Sequence, residues 1–354
     1  MFLRRLPLSL LLGAVAGIAT DGSAQPTDAA TTHPTHLLVV DKTAGELVVL
    51  ELASGAVTRR IAVGTGPHEV VLSPDGATAV VSVYGTAAEP GSSLAFVDLA
   101  SGTVRTLSTS PYTRPHGLAF VPGSDRLLVT AEAQDVVLEV DPAGPTVVTA
   151  HQVGQRLPHM VIAAPDGATA FTANIVAGSF ARLDLGTGRV RAAAVAEQAE
   201  GIAVTADGAE VWVGSNAAHE VHVFDAATLE RRATIATCRV PIRVTRVRSG
   251  LMAVTCYGDD RVQLVDVVSR EIVTEVALPD PRGDGAAPVG TLPTPDGMTL
   301  YVATVRSGAV HEIDVTDVGG VTGVADLADS GAARLVRTFD VGLEPDGMAL
   351  ARMR

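Results

Sequence analysis

Pro67-His68-Glu69, Pro115-His116-Gly117, Pro158-His159-Met160, Ala199-Glu200-Gly201, Pro241-Ile242-Arg243, Pro288-Val289-Gly290 and Pro345-Asp346-Gly347 are seven forms of one short phrase. Their middle residues are spaced by 48, 43, 41, 42, 47 and 57 positions. Between them lie short apolar runs bounded by Gly, Asp and Pro, which read as strands and turns. A period of ~40–50 residues built from such units is the mark of a β-propeller. The expected fold is all-β, a seven-bladed β-propeller.

The segment after His159 shows one unit. Val161 to Ala164 reads as a strand, Pro165-Asp166-Gly167 as a turn, and Ala170 to Asn174 as a second strand. Ala181 to Asp184 and Val190 to Val195 complete four. The chain ends supply the remaining blade. His36 to Val40, Leu47 to Leu52 and Val57 to Val63 read as second, third and fourth strands without a first, and Pro345 to Leu350 reads as a first strand with nothing after it. Pairing the N-terminal strands with the C-terminal strand closes the ring and leaves no unpaired inner edge.

Tyr301-Val302-Ala303-Thr304, the looser Phe171-Thr172-Ala173-Asn174, the Pro-x-Gly openings and the Pro-Asp-Gly turns at Pro74, Pro165 and Pro295 carry a resemblance. The chain resembles exported YVTN-repeat propellers, grouped with YncE-like and lactonase-like seven-bladed proteins, over nearly all of its mature length. The resemblance implies the fold, and it implies that the first strand of each blade lines the central channel. It implies no single activity, because members of the family include enzymes, cofactor-associated proteins and many with no assigned role.

Met1 to Arg5 is a short basic stretch, Leu6 to Ala19 is apolar, and Gly22-Ser23-Ala24 offers small residues for cleavage. Residues 1–24 are therefore expected to be a signal peptide, with the propeller over 25–354 and a periplasmic or secreted location. No stretch approaches the ~18 apolar residues of a membrane span. The net charge of −13 argues against nucleic acid as a partner. Aromatic residues are 3% of the chain, too few to suggest stacking platforms for long polymers. Cys238 and Cys256 are the only cysteines. They admit a disulfide, two small buried apolar residues, or thiolate metal ligands.

Counted around the closed ring, the middle residues of the phrase place His68, His116 and His159 between Asp346 and Glu200, opposed by Ile242 and Val289. Imidazole with carboxylate suits a divalent transition metal (Zn, Mn, Fe or Cu). The three histidines are the expected ligands, and Glu200 and Asp346 the groups that handle protons. Arg114, Arg243, Tyr84, Tyr112, Asn174 and Tyr257 are the candidates to finish a substrate pocket on the same face, the arginines suiting a carboxylate or phosphate. The other readings of the arc are a metal-free ligand site and a solvated rim. No Gly-x-Ser-x-Gly elbow, Walker loop or haem-attachment motif occurs in the chain. The expected function is a metal-dependent hydrolase or lyase acting on a small polar substrate. The alternative is a non-catalytic propeller that binds a ligand or an envelope protein partner.

Overall fold

Short apolar runs become strands here because Gly, Asp and Pro stand wherever the chain must reverse. A computed structural model describes residues 33–319 and 333–353, in which twenty-eight strands form seven antiparallel sheets of four. In chain order β1 (His36–Asp41), β2 (Glu46–Glu51) and β3 (Val57–Ala62) share a sheet with β28 (Pro345–Ala351), arranged β28-β1-β2-β3. β28 pairs with β1 from His36↔Ala351 to Asp41↔Pro345, so the ring closes as the repeat requires. The propeller occupies Pro34–Arg354. The expected export segment, Met1 to Ala24, lies outside the described residues.

Each remaining blade also opens on the phrase, with first strands β4 (Pro67–Leu72), β8 (Pro115–Phe120), β12 (Pro158–Ala163), β16 (Ala199–Val204), β20 (Pro241–Arg248) and β24 (Pro288–Pro293). Every first strand touches that of the next blade, β28 touching β4, so the seven enclose the channel. Second and third strands, such as β21 (Leu251–Cys256) and β22 (Arg261–Asp266), are sandwiched between blades and almost wholly buried. A fourth strand such as β3 alternates toward solvent. The Asp of each Pro-Asp-Gly turn accepts backbone N–H groups just ahead of it, Asp166 those of Ala168 and Thr169. The following Gly167 takes the left-handed conformation (φ 63°) that a Cβ disfavours.

The entrance to each first strand is the most constrained point of the repeat. The residue before the phrase is left-handed in six blades, at Gly66, Arg114, Leu157, Gln198, Val240 and Ala287, with φ between 52° and 59°. For a residue with a Cβ that conformation costs about 1–2 kcal/mol. It is held by a hydrogen bond that recurs in all seven blades. The N–H of the residue following the second-strand partner donates to the carbonyl before the phrase, from Tyr84, Glu132, Ile175, Asn216, Tyr257, Val305 and Lys42 to Gly66, Arg114, Leu157, Gln198, Val240, Ala287 and Glu344, at 3.0–3.2 Å.

One residue deeper, the third position of the phrase alternates around the ring as Glu69, Gly117, Met160, Gly201, Arg243, Gly290, Gly347. The glycines are required by close approach of the next blade. A Cβ would lie 2.7 Å from His159 O at Gly117, 2.6 Å from Val244 N at Gly201 and 2.6 Å from Glu69 Cα at Gly347. The three long side chains fill the axis instead. Hydroxyls on second strands stitch neighbouring blades: Thr130 Oγ1 accepts from Gly117 N and donates to His159 O, and Thr255 Oγ1 accepts from Arg243 N and donates to Val289 O.

Two outcomes follow from this packing. Gly201→Ala should cost about 1–3 kcal/mol through displaced backbone, whereas Gly144→Ala, with nothing within 4 Å, should be near neutral; urea denaturation compares them. His311 is wholly buried, bonded to Thr304 and Thr338, and burial lowers its pKa to about 4. The unfolded chain therefore takes up this proton first as the pH falls. The stability tied to neutral His311 is complete above pH ~6.5 and lost between there and pH ~4, on the order of 3 kcal/mol. A His311→Gln variant should show a correspondingly flatter profile of stability against pH.

Candidate metal centre at the channel mouth

The turn into each first strand, left-handed in six of the seven blades, sets the middle residue of the phrase at the mouth. The residue that makes the recurring hydrogen bond stands just outside it. Two concentric rings result: His68, His116, His159, Glu200, Ile242, Val289 and Asp346 within, and Tyr84, Glu132, Ile175, Asn216, Tyr257, Val305 and Lys42 behind them in the same blade order.

The two rings grip each other along the polar arc. His159 lies between two carboxylates, with Nδ1 2.5 Å from Glu132 Oε1 and Nε2 3.4 Å from Glu200 Oε1. Tyr84 donates to the other oxygen of Glu132 at 2.5 Å, and Asn216 Nδ2 donates to the other oxygen of Glu200. Arg114 lies over the Tyr84 ring, its guanidinium carbon 4.9 Å from the centroid. His116 is buried and stacks on His159 with centroids 3.7 Å apart. Its Nε2 is 3.1 Å from His68 Nδ1, which in turn is 3.3 Å from Asp346 Oδ2. Lys42 closes the arc, 3.6 Å from Asp346 and 3.3 Å from Glu344.

The titratable groups are pulled apart by these surroundings. Burial, reinforced by the positive neighbours His159, His68, Arg243 and Lys42, drives the His116 pKa well below the usual imidazole value. Burial also works against a charged His159, but its hydrogen bonds to Glu132 and Glu200 outweigh that and raise it to about 9. Glu200 and Asp346 are opposed by burial too. The imidazolium of His159 holds Glu200 low, and the His68 hydrogen bond with the Lys42 and Arg243 charges holds Asp346 low. Burial and the Glu132 carboxylate push the Tyr84 phenol up to about 12. Among the described residues three buried side-chain polar atoms have no hydrogen-bond partner: His222 Nε2 in blade four's third strand, and His116 Nδ1 and Asn216 Oδ1 at the mouth. The last two belong to this cluster.

His116, Glu132 and His159 offer ligand atoms that all lie within 4.8 Å of one another, a set that could hold a metal ion. Two imidazoles with one carboxylate suit first-row divalent cations and leave positions open. Of the residues expected from sequence, His68, His116, His159, Glu200 and Asp346 meet in one arc, with His68 bonded to His116 on the side away from His159. Arg243 runs across the channel one layer down, where Nη2 meets Glu69 Oε1 at 2.7 Å and Nη1 contacts Met160 Sδ. Arg114 acts through Tyr84. Tyr112 packs into the apolar interior of its blade, and Tyr257 lies on the far side under Arg306.

Asn174 is wholly buried and bonded to Thr172 and Ser179, because it is the strand partner of Pro158 and the ring position is its neighbour Ile175. Sequence reading missed Glu132, Asn216 and Lys42. The signal that finds them is their shared register with Tyr84 and Tyr257, one place beyond the second-strand partner of each phrase.

Cys238 and Cys256 form a disulfide at the start of blade five, and disulfides persist in oxidising compartments. Among the described residues, no helix is long and apolar enough to cross a membrane.

No family model and no curated protein matches the sequence. Solved structures do match. Hydrazine synthase of Kuenenia stuttgartiensis is 21% identical, over 80% of this chain and 88% of that one, with a TM-score of 0.64. A functionally unknown protein from Desulfotomaculum acetoxidans is 12% identical over 90% and 100%, with a TM-score of 0.69. The dihydro-heme d1 dehydrogenase NirN, in complex with DHE, is 14% identical over 89% and 75%, with a TM-score of 0.57. At these identities the likeness shows the fold: this is a seven-bladed β-propeller with a His/Glu/His cluster at its mouth.

Lys42 tests how the arc is held. Lys42→Met leaves Asp346 with one cation fewer in a shielded site and should destabilise the fold by about 2 kcal/mol, discounted for the partial exposure of the lysine. Adding Asp346→Asn should recover much of that loss. A double-mutant cycle in denaturant reads the coupling.

Proposed function

We propose that this chain is an extracytoplasmic propeller that binds a divalent transition metal at its channel mouth and uses it for hydrolysis or elimination on a small substrate. One observation carries the reading: His116, Glu132 and His159 converge within 4.8 Å beside a buried imidazole nitrogen that nothing in the protein satisfies. The disulfide and the signal-like N-terminus support the location.

A cation here would be held by His116, Glu132 and His159, and to ligate it His159 would give up the proton on the nitrogen that turns to the metal. When bound it supplies Lewis acidity toward an acyl or phosphoryl oxygen and an activated water at neutral pH. The chain does the rest. Tyr84 fixes the orientation of Glu132 by holding one of its oxygens. Asn216 does the same for Glu200, whose other oxygen faces the site as the group that accepts a proton. Asp346 fixes the tautomer of His68, which lies against His116.

The second reading, a non-catalytic propeller that binds a ligand or an envelope partner, is favoured by a different observation. Each carboxylate of the arc already has partners inside the protein.

Metal analysis of the purified mature protein should find near-stoichiometric Zn, Mn, Fe or Cu. Glu132→Gln should weaken its binding at least about tenfold. Glu200→Gln should keep the metal and cost ~10²–10⁴ in turnover once a substrate is found. Protein that neither carries nor takes up these metals in equilibrium dialysis refutes the metal reading. Metal retained with turnover unchanged in Glu200→Gln removes the catalytic role of that residue.

A further inference from the structure

The mouth has a second half that the metal cluster does not use. Blades seven, one, two and four are polar in both rings, whereas blades five and six place apolar Ile242 and Val289 in the inner ring, with the Tyr257 ring and Val305 behind them and Arg306 over the outer side of Tyr257. Ile242, Tyr257 and Val305 pack against the buried cluster that includes Val289 and remain half-buried, so that, with Arg306 covering Tyr257, they form a largely apolar wall across the channel from the histidines.

Two further features bound what fits between wall and arc. Arg243 leaves blade five directly beneath Ile242 and reaches Glu69 in blade one and Met160 in blade three. The side chain of Arg243 meeting those of Glu69 and Met160 therefore spans the gap, so an occupant has to be small. The same crossing forms a floor, with a separate cavity of about 360 Å³ lined by Leu118, Ile162, Ile202, Leu292 and Met348 beneath it. The charge balance also discriminates. Glu69, Glu132, Glu200 and Asp346 outnumber by one the cations in contact with them, Lys42, Arg243 and the His159 imidazolium, an excess of negative charge that disfavours phosphorylated and polycarboxylate compounds.

We infer that the mouth selects a small amphipathic substrate, uncharged or at most singly charged, whose polar reacting group meets the arc while a compact apolar body lies on the Ile242–Val289 wall. The role of the polar end rests on the metal reading above; the wall does not. Site walls of this kind add affinity with each methylene they cover.

The test uses full-length mature protein and two pairs of probes. On metal-stripped protein, hexanamide should bind at least about tenfold more tightly than acetamide, as read by saturation-transfer NMR titration. Ile242→Asn should reduce that ratio to near one, and Val305→Ser on the outer ring should lower it in the same direction. Thermal unfolding checks that both variants are folded, and Val305→Ser carries the test if Ile242→Asn is not. On Zn-loaded protein, hexanohydroxamate should exceed acetohydroxamate by a similar factor in calorimetry.

Equal binding of the two amides, or a preference that both wall variants leave intact, overturns the inference even if the hydroxamates bind the metal. A chain-length preference lost in the variants, in protein that binds no metal and no hydroxamate, upholds the wall and refutes the metal reading instead.

Discussion

The hydrogen bond that recurs in all seven blades, from the amide behind the second strand to the carbonyl before the phrase, is the constraint on which the mouth depends. It holds a left-handed residue where five of the seven blades carry a Cβ, at a cost of about 1–2 kcal/mol each. That conformation turns the chain into the first strand, whose second residue stands at the mouth. It also places the donor's own side chain directly behind it. The two rings at the mouth are thus consequences of a backbone geometry, and what varies between blades is only the pair of side chains set on it. Blade two places Glu132 behind His116, blade four Asn216 behind Glu200, and blade seven Lys42 behind Asp346.

Strain of this kind persists only where the surroundings over-determine it. Here they do, from below. The glycines at the third position let first strands approach until a Cβ would strike the next blade, and threonine hydroxyls such as Thr130 and Thr255 bridge the remaining donors and acceptors. The long residues Glu69, Met160 and Arg243 fill the space that the glycines leave on the axis. The buried ion pair of Arg243 with Glu69 is a poor source of net stability. Its effect is to fix where the channel closes and how much room the mouth has.

The phrase carried most of the fold. Seven occurrences, a missing first strand at one end and a lone first strand at the other define seven blades and their closure, because a propeller repeats one backbone plan and one residue per blade suffices to index it. The arc of His68, His116, His159, Glu200 and Asp346 was legible for the same reason. Glu132 was not, although it stands in the same register as Tyr84, because it falls in a short 3-10 turn (Glu132–Gln134) outside any apolar run. Asn174 shows the opposite error. A slip of one residue along a strand reverses the side chain, and it turned a presumed rim residue into a buried one. Arg243 is polar by sequence and faces the channel, yet only the three-dimensional course shows that its charge is spent on Glu69 rather than offered to a ligand.

The chemistry of the mouth follows from unequal neighbours given to like groups. His116 and His159 stack on each other, but one has no carboxylate bonded to it and the other has two. Burial therefore keeps the first neutral, while Glu132 and Glu200 make the second a cation. The site thus holds a neutral imidazole ready to donate a lone pair beside a positive charge already balanced by two carboxylates. A divalent ion held by His116, Glu132 and His159 would replace one of the imidazolium's two protons and leave the other His159 nitrogen bonded to a carboxylate. A polar arc able to hold such a charge, set against an apolar wall and above a closed floor, differs from a wet rim in one physical respect. Its asymmetry would give a molecule bound there a single preferred orientation, which a uniformly solvated mouth would not.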